Sequence, residues 1–88
     1  MNEEFEFDAV IQASDGGGAF VFFPFDVHKS FGTAGKVSVN ATIDGVPYRG
    51  KLLKYGFPQH VLGLLKSLRF QIGKGPGDTV KIRLRRAD

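Results

Sequence analysis

A chain of 88 residues with nine Phe and no Cys has room for one hydrophobic core and none for a second, and it excludes a disulfide framework or a thiolate metal site. Its net charge of +3 conceals a division: residues 1–44 hold seven Asp and Glu against two Lys and Arg, while residues 45–88 hold two against ten. Either one face is offered to a polyanion or a membrane, or the two halves pair with each other.

The acidic, alternating start lacks the basic and apolar segments of a signal peptide, and no apolar run is long enough to span a bilayer, so a cytoplasmic protein is expected. Phe5, Phe7, Ala9 and Ile11 alternate with Glu4, Glu6 and Asp8, which reads as a half-buried strand. The break Ser14-Asp15-Gly16-Gly17-Gly18 precedes residues 19–23, apolar on both faces, and the two runs form an expected hairpin. A short helix follows, with Asp26 as its N-cap, Val27 and Phe31 one turn apart and Gly32 ending it.

The most legible stretch is 36–53. Two alternating runs flank Asp44-Gly45, the signature of a type I′ turn, in which both central residues take positive φ. Closing on that turn pairs Ile43 with Val46, Ala41 with Tyr48, Val39 with Gly50 and Val37 with Leu52, so one face is apolar on both strands. Pro47 falls opposite Thr42, at a pair that exchanges no hydrogen bonds in this hairpin. Residues 54–58 read as a loop and 59–65 as a strand. Lys66 to Ile72 is a second short helix stopped by Gly73, and after a glycine-rich turn Thr79 to Arg86 closes as a strand with Val80, Ile82 and Leu84 inward.

Strand, strand, short helix, glycine, strand thus occurs twice, in halves 4–43 and 46–86. A shift of 41 maps Phe7 onto Tyr48, Ile11 onto Leu52, Val27 onto Leu68, Phe31 onto Ile72 and Gly32 onto Gly73. With two single insertions it also maps Gly35 onto Gly77 and Val39 onto Ile82. Neither ββαβ-like unit buries its apolar face alone. The expected architecture is one mainly β domain over residues 1–88, a small closed or double-split β-barrel of about six strands with two short capping helices.

In Phe23-Pro24 with Asp26-Val27, Phe31-Gly32, Ile43-Asp44-Gly45, His60, Lys66 with Leu68-Arg69, and Gly77-Asp78-Thr79-Val80, the chain resembles a prokaryotic family catalogued as domain of unknown function nineteen-oh-five. The resemblance covers nearly the whole chain. It implies a double-split β-barrel, the fold class shared with the AbrB-type and MazE-type DNA-binding proteins, and it implies no activity.

Chemistry is sparse in these residues. His28 and His60 are the only histidines, without the spacing of a metal site, and no cofactor motif is present. Gly32-Thr33-Ala34-Gly35-Lys36 fails as a phosphate loop because a strand follows it. No catalytic set assembles, so a non-enzymatic module binding a protein or a small anionic partner is expected. His60, which matches the family motif, with Lys66 and Arg69 forms the candidate anion cluster. The alternative is nucleic-acid binding through Arg49, Lys51, Lys81, Arg83, Arg85 and Arg86. Two features weigh against it. The first-half equivalents of the basic strand are Ser38, Asn40 and Thr42, and a barrel that pairs its first and last strands sets Glu4, Glu6 and Asp8 beside the basic row.

Overall fold

The computed structural model describes residues 4–32, 35–54 and 59–87. Its strands are β1 (Glu4–Val10), β2 (Gln12–Ala13), β3 (Ala19–Phe22), β4 (Val37–Ile43), β5 (Val46–Leu53), β6 (Val61–Gly63) and β7 (Thr79–Arg86), and its helices are α1 (Val27–Phe31) and α2 (Lys66–Ile72). A 3-10 turn, Asp15–Gly17, joins β2 to β3. All pairings are antiparallel, in the order β1-β7-β4-β5-β6-β3-β2. The strands β1 and β2, separated only by Ile11, lie at opposite ends of that order. A flat sheet of this size is roughly 29 Å across, far beyond the ~3.5 Å that one residue spans, so the sheet curls back on itself and is barrel-like.

The hairpin of β4 and β5 has the expected register, from Val37↔Leu52 to Ile43↔Val46. Asp44 (φ 50) and Gly45 (φ 85) supply the two positive φ angles of its turn. Alternation then decides burial: Val37, Val39, Ala41 and Ile43 are buried on β4, and Val80, Ile82 and Leu84 on β7. Each helix contributes one fully buried side chain, Val27 from α1 and Leu68 from α2, and each ends on a left-handed glycine, Gly32 and Gly73. Phe23, wholly buried, is ringed by Phe5, Phe7, Phe25 and Phe31 at centroid distances of 5.4–5.9 Å.

The first alternating run departs from expectation, which had about six strands and a hairpin of the first strand on 19–23. Only Gln12 and Ala13 pair with β3, while all of β1 pairs with β7, giving seven strands. The cause is Ile11, buried at the bend, whose N–H donates to the Asp78 carbonyl (2.9 Å) and whose carbonyl accepts from Gly77 N–H (2.8 Å). Both its backbone groups are satisfied by the turn before β7, so the strand kinks without orphaning either. Residues 33–34 of the rejected phosphate loop and 55–58 of the expected loop lie outside the described residues. Among the described residues no helix is long and apolar enough to cross a membrane.

Candidate functional site

Two concavities flank the β3–β6 pair. The larger, a groove of about 760 Å³, runs between the β2–β3 connection and the N-terminal turn of α2. Its apolar lining includes Ala13, Ala19, Phe20, Leu64 and Leu65; its charges are Lys66 and Arg69, with Asp15 on the opposite side. Leu65 is 63% exposed, and Phe70, farther along α2, is 88% exposed.

The groove wall is held by main-chain and side-chain bonds. Leu64 N–H donates to the Ala19 carbonyl (2.9 Å), and Arg69 Nε donates to the Leu64 carbonyl (3.1 Å). The Tyr48 hydroxyl donates to the Gly63 carbonyl (2.6 Å) and accepts from Leu65 N–H (3.2 Å), which fixes where α2 begins. Arg69 is half-buried, and with Nε committed, its terminal nitrogens are the donors left for a ligand. Lys66 and Arg69 sit three residues apart, on neighbouring positions of one helix face.

His60 is not in this groove. It lines the smaller concavity, of about 310 Å³, with Phe25, Asp26, His28, Lys54 and Gln59. Its ring is buried, Nε2 lies 3.1 Å from the Gly35 carbonyl, and its own carbonyl accepts from Phe23 N–H (2.9 Å). The cluster of His60 with Lys66 and Arg69 expected from sequence is thus divided between two concavities, because β6 lies between His60 and α2. Asp26 caps α1 through Lys29 N–H (3.1 Å), and that bond holds its carboxyl below the ordinary carboxylate range. Among the described residues no group of three or more His, Asp or Glu side chains converges as a metal site does.

The six basic residues of the nucleic-acid alternative also separate. β1 pairs with β7 so that Glu4 opposes Arg85, Glu6 opposes Arg83 and Asp8 opposes Lys81. Arg83 bonds Glu4 (3.2 Å) and Glu6 (3.1 Å), and Lys81 lies 3.7 Å from Glu6. Arg86 shares the parity of buried Ile82 and Leu84 and donates to the Phe31 carbonyl (3.1 Å), so it leaves the row it was expected to end. Arg49, Lys51 and Arg85 stay exposed on the outer face, Arg49 and Arg85 on either side of Asn40.

Sequence reading found the cations of the groove and missed Tyr48, Leu65 and the small residues Ala13, Gly18 and Ala19. Spacing gave no signal for Leu65, which lies three residues before Leu68 and seven before Ile72, as a buried helix position would; it is exposed because it is the extended residue that precedes α2. The family model described as Domain of unknown function (DUF1905) matches residues 7–84. No curated protein matches the chain.

Proposed function

Because the chain belongs to the family of the domain of unknown function DUF1905, whose description assigns no activity, we propose a function from the groove: a non-enzymatic module that binds a partner with an anionic group and an apolar body. The observation that carries this reading is Lys66 and Arg69 side by side at the rim of an otherwise mostly apolar groove. Its volume of about 760 Å³ falls in the range of small-molecule sites, about 300–1,000 Å³. Arg69 is held in place by the Leu64 carbonyl, so an incoming carboxylate meets a guanidinium that has already lost much of its freedom. Asp15, on the opposite side, disfavours a ligand with a second anionic end there. The same reading takes the barrel as double-split and built from an internal repeat, a view supported by the matched ends of α1 and α2, and places the protein in the cytoplasm, supported by the absence of Cys.

Decanoate, decanol and acetate, titrated separately while amide shifts are followed, test the proposal. Decanoate is expected to shift residues of the groove, decanol to bind more weakly and acetate far more weakly. Lys66→Gln should weaken decanoate about tenfold, the loss of one charge-assisted contact, and leave decanol unchanged. Arg69→Gln, which also gives up the bond to the Leu64 carbonyl, should weaken decanoate at least as much and more than it weakens decanol. Equal binding of decanoate and decanol, or no shift in the groove, overturns the reading.

A second reading, nucleic-acid binding, draws support from Arg49, Lys51 and Arg85, exposed on one face of β5, β4 and β7 and in no ion pair among the described residues. Three phosphate contacts on duplex DNA give a log–log salt slope of about −2.7. Absence of binding at low ionic strength removes it.

A further inference from the structure

We infer that the groove and the smaller concavity are counterparts under an internal two-fold, and that three small residues, Ala13, Gly18 and Ala19, let the groove alone admit an apolar ligand. The inference rests on the groove being the ligand site. The relation between the halves is written in the pairing. Adding 41 to a first-half number and subtracting 41 from a second-half number turns Phe20↔Gly63 into Val61↔Phe22, and both pairs are present. The same operation turns Gln12↔Phe20 into Leu53↔Val61, also present. It turns the Leu64 N–H to Ala19 carbonyl bond into the Phe23 N–H to His60 carbonyl bond, and both measure 2.9 Å. For β4 and β7 the offset is 43, and Val39↔Arg86 becomes Ile82↔Ile43.

Applied to the groove lining, the operation carries Leu65 onto Pro24 and Arg69 onto His28, and it carries Ala13, Gly18 and Ala19 onto Lys54, Gln59 and His60. All five of these counterparts line the smaller concavity. Where one site has a methyl group or a hydrogen, the other has a lysine, a glutamine and a buried imidazole anchored to the Gly35 carbonyl. That exchange accounts for the drop from about 760 to about 310 Å³ and for the more polar lining. One site is open to an apolar body; its counterpart is filled by its own side chains.

The test transplants the fill in both directions and uses decanoate as the probe. Ala19→His and Ala13→Gln put bulk where the counterpart has it and should each weaken decanoate at the groove at least about tenfold. Amide spectra and melting curves verify the fold. Ala13 is exposed, so its variant carries the experiment if Ala19→His does not fold. Gly18 is left alone, since a Cβ there would lie 2.6 Å from Ser14 Oγ. In the reverse direction, Lys54→Ala with Gln59→Gly, keeping His60, should add decanoate-dependent shifts at Phe25 and His28. Folded groove variants that bind decanoate as the parent does, or a reverse variant that gains no second site, overturn the inference. If Lys66→Gln and Arg69→Gln change nothing while Ala13→Gln blocks binding, the gate stands and the anionic part of the proposed function falls. A parent that binds no decanoate overturns both.

Discussion

His60 makes two different kinds of bond, and substitution separates them. Its carbonyl accepts from Phe23 N–H whatever the side chain, whereas the contact of Nε2 with the Gly35 carbonyl, at 3.1 Å, belongs to the imidazole alone. With the ring only 8% exposed, His60→Ala removes that contact and leaves a void in the wall that His60 shares with Phe25 and Val27. The expected cost is about 1–3 kcal/mol, which lowers Tm by roughly 4–8 °C for each kcal/mol in a domain of this size. Thermal unfolding followed by circular dichroism measures it. An unchanged Tm would assign His60 to ligand contact, the role its motif match pointed to. The sequence could not distinguish these roles, because what decides between them is Gly35, 25 residues away in the chain.

At the scale of elements, the hairpin of β4 and β5 was readable because both strands alternate and Asp44-Gly45 fixes the register. What the turn does for its neighbours was not readable. Asp44 Oδ2 lies 2.6 Å from Lys74 Nζ, Oδ1 accepts from Lys81 N–H (2.8 Å), and Lys74 Nζ also donates to the Thr79 carbonyl (2.7 Å). The hairpin tip is thereby tied to the turn between α2 and β7. The Lys74 bond, aided by Lys81 N–H, holds the Asp44 carboxyl below its ordinary value of 3.8. A carboxyl lowered in the folded state stabilises the fold above its unfolded pKa, and that stability disappears as pH falls through the folded value. Asp44→Asn keeps a residue that accepts the left-handed conformation and removes the charge, at a cost of about 1 kcal/mol or less at neutral pH, since Lys74 and Asp44 are both partly solvated. Urea midpoints from pH 7 to 2.5 should show a gap between parent and variant that is full at neutral pH and closes below about pH 4. The break at Ile11 was invisible for a similar reason. The apolar parity of Phe5, Phe7, Ala9 and Ile11 runs straight through the break, and the groups that divide the strand are Gly77 N–H and the Asp78 carbonyl, far along the chain.

For the whole molecule, the division of charge between the halves resolves into the closure of the sheet. The groove was not legible as a site because its lining comes from residues 13–20 and 61–69, joined only when β3 pairs with β6. Its two cations were legible, since they share one short helix. The acidic first strand and the basic last one were legible as a pair, and the register places Glu6 against Arg83 and Asp8 against Lys81. The ion pairs that form there, Arg83 and Lys81 with Glu6, are more than half solvated on the basic side, so each contributes only about 0–1 kcal/mol to stability. Their larger effect is on the field outside the protein. Without Glu4 and Glu6, the charges of Lys81 and Arg83 would join those of Arg49, Lys51 and Arg85 on one continuous face. The double substitution Glu4→Gln with Glu6→Gln should therefore delay elution from immobilised heparin and steepen its log–log salt dependence by about one to two units, while Tm moves by only a few degrees. If heparin retention is unchanged and the fold intact, the acidic strand is not what quiets the basic row. If Tm instead collapses, closure of the barrel depends on those ion pairs far more than their exposure allows.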